Sequence, residues 1–511
     1  MTPHFSMKQL TLGMAMLCAA GSVPAATKAE AKLLQLVQQL NERLERLEQR
    51  NTSLEQQVKA PNLSLPTELD QRVRSLENAN AQLEKSLASE RISENEPELT
   101  TRLKAIEQNA LDMKKSVRKI DALEGLKIST SLTTVMQKPV GLAQGTSDAN
   151  SQLNYRADVT VELPLESIGD IDHKLFAHFR LGQGSGINTP FSNLGAFANA
   201  PNALAFRASG SPPDDSVAIL GEAYYQASIP LPSGGFKPDS KETLELTFGK
   251  MDLFGFFDQN AVAGDESRQF LNSVFVHNPL LDAGGEVGVD ANGFQPGFVT
   301  AYVNHEDKAN VWRLSLGVFG TGEGANYQHF SSSPLVMAQA ETKLKFSGLT
   351  GNYRAYLWRT GQGQQLDGSI DQHMGWGISV DQSIDEGITL FSRYGKLNQG
   401  QLRFDQALIA GAEINGSRWS RGGDSLGVAL GKLRASGDYR AAGGSGDLTG
   451  DGNGLFAFAP GGGEKIAELY YRYRVNKQVE LSPDFQYIWN TGANPDAQNV
   501  SIYGLRAQFS Y

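Results

Sequence analysis

From residue 126 to the end, runs of about ten residues alternate between apolar and polar side chains, and this pattern restricts the fold most. Residues 153–163 are typical, with apolar side chains at the odd positions and polar or charged ones between them. Residues 338–346 and 467–475 follow the same pattern. Since successive side chains of a strand point to opposite faces, a period of two predicts β-strands with one apolar face. About sixteen such runs are present, each of the length that a tilted strand needs to cross a bilayer.

A soluble β-sandwich would also show alternation, but three features favour an all-β transmembrane barrel. The strands are longer than the five or six residues usual in soluble sheets. Short connections such as 383–387 alternate with long ones such as 435–463, as periplasmic turns and outer loops do. Aromatic residues lie near the ends of several strands, as an interfacial girdle requires. They include Tyr155, Tyr225, Trp376 and Trp489.

The last strand carries one apolar face and stops at an aromatic residue, as outer-membrane barrels typically do. The face consists of Tyr503, Leu505, Ala507, Phe509 and Tyr511. An open strand edge in lipid would leave backbone groups without hydrogen bonds, so this strand must pair with the first one, near residues 126–137. These features predict that residues 125–511 form a barrel domain of about sixteen antiparallel strands in a Gram-negative outer membrane.

The first 25 residues are typical of a secretory signal peptide. Lys8 supplies the positive charge, an apolar stretch follows, and residues 23–25 fit cleavage after a small residue. Met7 is an equally good start. A lipid anchor at Cys18 is the alternative, although bulky residues precede that cysteine. Removing this segment removes the one cysteine, so we expect no disulfide and no cysteine-based site.

Residues 26–124 show a different period, in which apolar residues alternate spacings of four and three. The first stretch contains Leu33, Val37, Leu40, Leu44, Leu47, Asn51, Leu54 and Val58. Two more stretches follow between prolines, and together they predict a periplasmic α-helical coiled coil ahead of the barrel. Asn51 and Asn80 fall at positions that set register. We expect a homo-oligomer. The residue types at the heptad positions favour a coiled coil of two helices, whereas a porin barrel would favour a trimer. An interrupted surface helix is the alternative.

Composition and motifs argue against several other classes of protein. A net charge of −10 disfavours a general nucleic-acid binder. Residues 447–453 resemble half a calcium loop, but Phe458 replaces the required glutamate, so a bound calcium ion stays an open question. Ser425 lies in a GxSxG pattern that lacks the helix a nucleophile elbow needs. Gly182–Gly186 lacks the context of a nucleotide loop. We therefore predict no catalytic residue, cofactor or metal ion.

The segment 251–295 breaks the alternation and is too long for a simple connection. Its apolar residues predict that it packs, and if it folds into the lumen its polar residues would line a constriction. Those polar residues are Asp258, Asn260, Asp265, Glu266 and Arg268. Arg180 and Glu222, on strands, would face the same pore. The alternative is an outer lid that never enters the lumen.

Strand parity also predicts which charged residues of the wall face the lumen, where most should pair with each other. The arginines are Arg156, Arg180, Arg313, Arg354, Arg393, Arg472, Arg474 and Arg506. The acidic residues are Glu162, Glu222, Glu341, Glu413, Glu468, Glu480 and Asp484. A lumen of mixed charge favours a neutral solute over an anion.

Two patches of the barrel region resemble carbohydrate-selective porins of the OprB type. Phe257-Asp258-Gln259-Asn260, Asp265-Glu266 and Gln269-Phe270-Leu271-Asn272 resemble that family's constriction loop. Residues 483–487 and 502–511 are similar to its closing hairpin. The resemblance implies sixteen strands, inward-folded outer loops, arginines and a glutamate at the narrowest point, and a preference for monosaccharides. The coiled coil lies outside the family pattern and resembles periplasmic extensions that reach toward peptidoglycan.

The sequence therefore predicts an outer-membrane porin for passive diffusion of small sugars, with outer-membrane lipid around it. Two alternatives stay open. One is a general porin or one selective for anions such as phosphate. The other is a structural tether between outer membrane and peptidoglycan, favoured by the coiled coil.

Overall fold

The computed structural model describes most of the barrel region and a few residues before it. The described residues are 74, 75, 77–79, 81, 108, 125–141, 151–188, 200–206, 216–232, 240–282, 293–322, 325, 327, 330–443 and 458–511. Those before residue 125 are helical. The predicted signal peptide, the calcium-like segment 447–453 and most of the predicted coiled coil lie outside the described residues. Among the described residues, no helix is both long and apolar enough to cross a membrane.

Sixteen antiparallel strands form one closed barrel in which each strand pairs with its neighbours in sequence. The predicted fold class and strand number of the barrel are confirmed. The strands are β1 (Lys127–Val140), β2 (Gln152–Pro164), β3 (Asp172–Gln183), β4 (Val217–Leu231), β5 (Glu242–Met251), β6 (Gln295–Asn304), β7 (Trp312–Phe319), β8 (Leu335–Phe346), β9 (Leu349–Gln364), β10 (Ile370–Asp385), β11 (Ile388–Gln399), β12 (Phe404–Asn415), β13 (Ser425–Ala435), β14 (Gly463–Arg474), β15 (Val479–Trp489) and β16 (Val500–Ser510).

The barrel closes where the sequence predicts, between the last strand and the first. β16 pairs with β1 from Ser131 opposite Ser510 to Val140 opposite Ser501. Beyond the end of β16, the backbone N–H groups of Thr130 and Tyr511 each donate to the other residue's carbonyl at 2.8 Å. The closure leaves no free strand edge in the wall, as a lipid environment demands.

The period-two pattern sorts side chains between lipid and lumen. Apolar side chains cover the outside, where Leu153 is 61% exposed and Leu430 is 60% exposed. Inward-facing Arg393 and Arg506 are each only 1% exposed. This inversion of a soluble protein's surface is expected when the outer solvent is hydrocarbon.

The connections differ in length at the two ends of the barrel. Ser347 and Gly348 join β8 to β9 in a two-residue turn, and both adopt positive φ angles of 51° and 83°. Such angles match the tight turns that suit the twist of paired strands. The opposite end carries long connections, among them 252–294 and 436–462, and the latter contains helix α3 (Gly437–Ala442). Short turns face the periplasm in barrels of this kind, so the long connections face outward.

The segment 252–294 is named here the inner loop, and its described residues, 252–282, 293 and 294, lie inside the barrel. It begins with a 3-10 helix (Leu253–Gly255) and continues through α1 (Ser273–Val276) and α2 (Pro279–Asp282). The ring of Phe270 lies 5.4 Å from that of Phe391 and 5.0 Å from that of Tyr470, both on the wall. Because these wall residues face inward, the inner loop fills part of the lumen. It does not act as a lid above the barrel.

Glycines in the wall let the inner loop approach closely. A Cβ atom on Gly395 would lie 2.4 Å from the side-chain oxygen of Asn278, which belongs to the loop. A Cβ atom on Gly377 would lie 2.5 Å from the ring of Tyr356, whose hydroxyl contacts the loop. At distances below 3 Å the facing side chain would have to shift, so glycine at these positions preserves this packing.

Candidate functional site: the barrel constriction

One anchor of the inner loop is a buried ion pair on β11. The Nε of Arg393 lies 3.1 Å from Oδ1 of Asp258, and its Nη1 donates to the carbonyl of Phe275 at 2.5 Å. The hydroxyl of Tyr356 donates to the same carboxylate oxygen at 2.8 Å, and the N–H of Asn278 donates to the other at 2.6 Å. Asp258 borders the lumen, but its carboxylate is saturated by these donors. Asp258 therefore mainly fixes the loop to the wall.

A second anchor lies three strands further along the wall, on β14. The carboxylate of Glu468 accepts hydrogen bonds from the backbone N–H groups of Leu271 at 2.5 Å and Asn272 at 3.0 Å. The side-chain amide of Asn272 donates to Gln486 of β15 at 3.0 Å. A wall carboxylate therefore satisfies backbone donors that a loop inside a protein could not leave unpaired.

A third set of contacts comes from β15 and β16. Arg268 donates twice to the carboxylate of Glu480, at 2.9 and 2.6 Å. Arg506 donates to the carbonyls of Glu266 and Gln269 at 2.8 and 2.7 Å. Such charge-assisted and bidentate hydrogen bonds are the strong ones. These three sets of contacts fix the loop to the side of the wall formed by β11–β16. Open space is left beside β2–β4.

That open space contains a cavity of about 740 Å³, named here the arginine chamber. On the wall it is lined by Arg156, Arg180 and Arg354, among others. On the inner loop it is lined by Phe254, Gln259, Glu266 and further residues. The volume suits a solute of modest size together with water.

Carboxylates compensate the charge of the arginine chamber. Arg156 lies 2.8 Å from Glu266 on the loop and 2.8 Å from Asp158 on the wall. Arg180 lies 3.0 Å from Asp158. Burial alone would raise the pKa of Glu266, but Arg156 and Arg180 outweigh burial and hold that pKa below its ordinary value. Glu266 is therefore an ionised hydrogen-bond acceptor at neutral pH.

The arginine chamber also contains a flat aromatic surface and several amides. The rings of Phe254 and His277 stack with centroids 3.7 Å apart and planes 4° from parallel. Asn188, Asn202 and Asn260 add amide groups to the lining. The chamber thus combines charged donors, charged acceptors and an apolar plate.

A second cavity of about 450 Å³, named here the aromatic chamber, shares Gly255 and Gln259 of the inner loop with the first. Phe176 and Tyr224 stack in its wall with centroids 4.8 Å apart. Tyr224 also meets Phe256 of the loop edge-on, at 5.7 Å. The shared residues place the two cavities on either side of one short segment of loop.

Charged side chains connect the two chambers in a continuous chain. Glu222, in the aromatic chamber, lies 3.2 Å from Nδ1 of His178, whose Nε2 lies 2.8 Å from Asp158. Asp158 in turn contacts Arg156 and Arg180 of the arginine chamber. Two further carboxylates of the aromatic chamber, on Glu245 and Glu341, pair with arginines of the wall.

The structure separates the predicted site residues into two groups. Asp258, Asn260, Glu266 and Arg180 border the arginine chamber, and Glu222 borders the aromatic chamber. Asp265 and Arg268 are absent from the lining of both chambers. Asp265 accepts hydrogen bonds from its neighbour Ser267, and Arg268 donates to the carboxylate of Glu480.

Several lining residues escaped the sequence analysis. Phe176 and Tyr224 occupy inward positions on β3 and β4, where the residues two positions away on the same face are polar, so strand parity alone would have found them. Phe254 and Asp252 belong to the loop, where no periodicity exists to reveal them.

Ser425, which lies in the GxSxG pattern, is the first residue of β13, so a strand and not a helix follows it.

Asp252 should make the ion selectivity of the pore depend on pH. Burial raises the pKa of Asp252 to about 6, the neighbouring Glu222 adds to the rise, and His277 opposes it. The carboxyl is therefore neutral below about pH 6 and charged above it. We expect the preference for cations, measured as reversal potential across a bilayer, to increase as pH rises from 5 to 7. Asp252→Asn should reduce this increase, and an unchanged pH profile would contradict the assignment.

Comparisons with known proteins agree with this architecture. The family model described as "Carbohydrate-selective porin, OprB family" matches residues 151–511. The high-pH structure of Pseudomonas putida OprB is 17% identical with a TM-score of 0.56, covering 77% of this chain and 96% of that chain. The low-pH structure of that protein is 14% identical, with a TM-score of 0.42 and coverages of 78% and 96%.

A mutant of the Rh. blastica porin is 9% identical with a TM-score of 0.41, covering 76% of this chain and all of that chain. No curated protein matches the sequence. The structure of the Pseudomonas putida protein shows the shared barrel fold, and the family model spans well over half of the chain. The chain belongs to the OprB family of carbohydrate-selective porins.

Proposed function

We propose that monosaccharides cross this outer-membrane porin through the arginine chamber and then the aromatic chamber. The observation that carries the proposal is the pairing of opposite chemistries across the arginine chamber. Arg156 and Arg180 lie on the wall, while Glu266 and the plate of Phe254 lie on the inner loop. A sugar offers hydroxyls that both donate and accept, together with apolar C–H faces, and this lining meets all three.

We assign the constriction to Arg156, Arg180 and Glu266, with Asn260 and Asp258 at its border. Asp265 and Arg268 fix the loop and do not touch the solute in this proposal. Since most of these charges already contact opposite charges, each can offer a sugar only its remaining hydrogen-bonding capacity. Binding is then weak enough for release, which conduction requires.

The aromatic chamber receives the solute after it passes Gly255 and Gln259. Phe176 and Tyr224 offer rings to the C–H face of a sugar, and Glu222 offers an acceptor for its hydroxyls. Tyr224 also lines the cavity and carries a hydroxyl as a further polar group.

A neutral solute is favoured over an anion because the arginines of the lumen are paired. Arg354 contacts both Glu341 and Asp381 at 3.0 Å, and Arg313 contacts Glu245 at 2.8 Å. An anion-selective pore needs an excess of unpaired positive charge, and a general porin needs no aromatic plates. We further propose that the protein acts as a channel without catalytic activity.

Arg180→Gln should weaken the block of ion current by glucose about tenfold, since one charge-assisted hydrogen bond is lost. Asp158 keeps its contacts with Arg156 and His178, so the wall should fold normally. Planar-bilayer conductance with a series of sugar concentrations measures the effect. Arg418→Gln is the matched control, because Arg418 pairs with Asp385 at the turns, far from both chambers.

Two outcomes would overturn the proposed function. Vesicles containing the protein that showed no permeability to glucose would remove any channel role. A current that glucose does not block, combined with strong anion preference, would favour an anion porin instead.

We propose that residues 26–124 form a periplasmic coiled coil that joins copies of the chain, with a trimer or a dimer as the two arrangements, or contacts peptidoglycan. Support comes from the heptads and from the helical state of the few described residues there, such as Arg74 and Ser75. Deleting residues 29–124 should leave glucose permeability unchanged but lower the mass of the detergent-solubilised particle or reduce cosedimentation with peptidoglycan. Loss of glucose permeability by a correctly folded barrel would contradict this division of roles.

A further inference from the structure

Two lysines face each other on the outside of the barrel. Lys432 of β13 lies directly opposite Lys465 of β14 in the strand register. Their outward direction follows from the alternation, because Leu433 and Ile466, next to them in sequence, are fully buried on the inside. Leu430, two residues from Lys432, is largely exposed on the lipid side. Both ammonium groups therefore project from the membrane-facing surface.

This arrangement is unfavourable unless something outside the chain neutralises it. Like charges directly opposite in a sheet repel, and lysine on the lipid face of a barrel is destabilising. Arg434, on the same face of β13, is paired with Asp405 through two hydrogen bonds of 2.8 and 2.7 Å. Within the described part of the chain, no carboxylate lies within ion-pair distance of Lys432 or Lys465. A neighbouring cation is thus matched, whereas this pair is not.

The lysines stand at the edge of an apolar groove of about 430 Å³. Leu408, Ala410, Leu430 and Trp489 line it, together with the two lysines. Trp489 lies opposite Lys465 in the register of β14 and β15. Aliphatic side chains, a tryptophan at the membrane interface and two cations together suit an amphiphile that has acyl chains and an anionic head group.

The groove lies near the end of the barrel that carries the long connections. Lys432 is close to the end of β13 at Ala435, and Lys465 is close to the start of β14 at Gly463. That end faces outward, so the lysines lie within the outer leaflet. The outer leaflet of a Gram-negative outer membrane consists largely of lipopolysaccharide, whose lipid A part carries phosphates and several acyl chains.

We propose that this groove is a binding site for the phosphorylated lipid A part of lipopolysaccharide. One phosphate lies between the ammonium groups of Lys432 and Lys465 and removes their mutual repulsion. An acyl chain lies along Leu408 and Leu430. The site is separate from the solute pathway, because both lysines are on the opposite face of the wall.

The test uses the full chain in detergent with lipopolysaccharide as the probe. The variant Lys432→Gln/Lys465→Gln should bind lipopolysaccharide roughly 10- to 30-fold more weakly, since each basic residue near an anionic membrane surface contributes about one kilocalorie's worth of affinity. Native mass spectrometry of the titrated protein measures the affinity. The control for loss of two positive charges is Lys343→Gln/Lys345→Gln, which removes two lysines from the lumen face of β8 at the short-turn end and should bind lipopolysaccharide as the parent chain does.

Further arms identify the ligand chemistry. Dephosphorylated lipopolysaccharide should bind the parent chain as weakly as the intact form binds the double variant. Competition by millimolar sodium phosphate as strong as that of the lipid would overturn the proposal, because the groove would then be unnecessary. Equal affinity of parent and variant would also overturn it. So would a fall in oligomer mass of the variant with unchanged lipid binding, since a second copy would then occupy the face.

Discussion

Replacing Arg393 with alanine should widen the pore and abolish its block by glucose. The guanidinium joins two parts of the inner loop, since it donates to the carboxylate and the carbonyl of Asp258 and to the carbonyl of Phe275. Its loss strands a buried carboxylate without a cation, which costs about 3–5 kcal/mol. Without these contacts, the packing of the loop against β11 is less stable. We expect higher single-channel conductance and a loss of sugar selectivity.

Two variants separate this effect from a general loss of charge. Arg434→Ala removes an arginine of the outer face that is paired equally well with Asp405, and its conductance should stay near that of the parent. The double variant Arg393→Ala/Asp258→Asn removes the stranded charge together with its partner. It should recover part of the selectivity, as expected for coupled residues. A normal glucose block in Arg393→Ala would show that the other anchors suffice.

Removing residues 500–511 should abolish the folded barrel altogether. β16 pairs with β1 on one side and β15 on the other, so its loss opens two strand edges to lipid. Each unsatisfied backbone group in hydrocarbon costs several kcal/mol. The sum over two open strand edges therefore exceeds the free energy of unfolding of a membrane barrel. Migration of the refolded protein on unheated gels, where closed barrels run as compact species, measures the result.

Tyr511→Ala is the informative control for that deletion. The Tyr511 side chain is 89% exposed, whereas its backbone makes both hydrogen bonds with Thr130. The substitution should therefore leave the refolded barrel closed in detergent. A failure of Tyr511→Ala to refold would mean that the aromatic ring, and not the strand pairing, is the essential feature of the chain's end.

The barrel could be predicted because its solvent imposes a simple rule. In β2, the alternation from Leu153 to Leu163 is a direct record of which side chains face lipid. The closing pair of β1 and β16 follows from the same rule, since no edge can stay open. The apolar residues Phe254, Phe257 and Phe270 predicted that the inner loop packs against other parts of the chain, but they left open whether it enters the lumen or forms an outer lid.

The roles of individual residues inside the loop could not be predicted in the same way. Asp258 and Arg268 occupy a segment without periodicity, so nothing in the sequence says whether a side chain meets solute or wall. Tertiary contacts decide this, because Asp258 forms an ion pair with Arg393 and Arg268 forms one with Glu480. Phe176 and Tyr224 were missed for a different reason, since inward positions were searched for charge and not for aromatic rings.

The partners that hold the inner loop lie far downstream of it. The loop follows β5, but Glu468, Glu480 and Arg506 belong to β14, β15 and β16. During biogenesis, an intermediate that lacks these last strands keeps the contacts of Arg393 on β11 with the loop but has none of those from Glu468, Glu480 and Arg506. The constriction thus has its full set of anchors only when the last strands are in place, so this barrel completes its selective site at the same step that closes its wall.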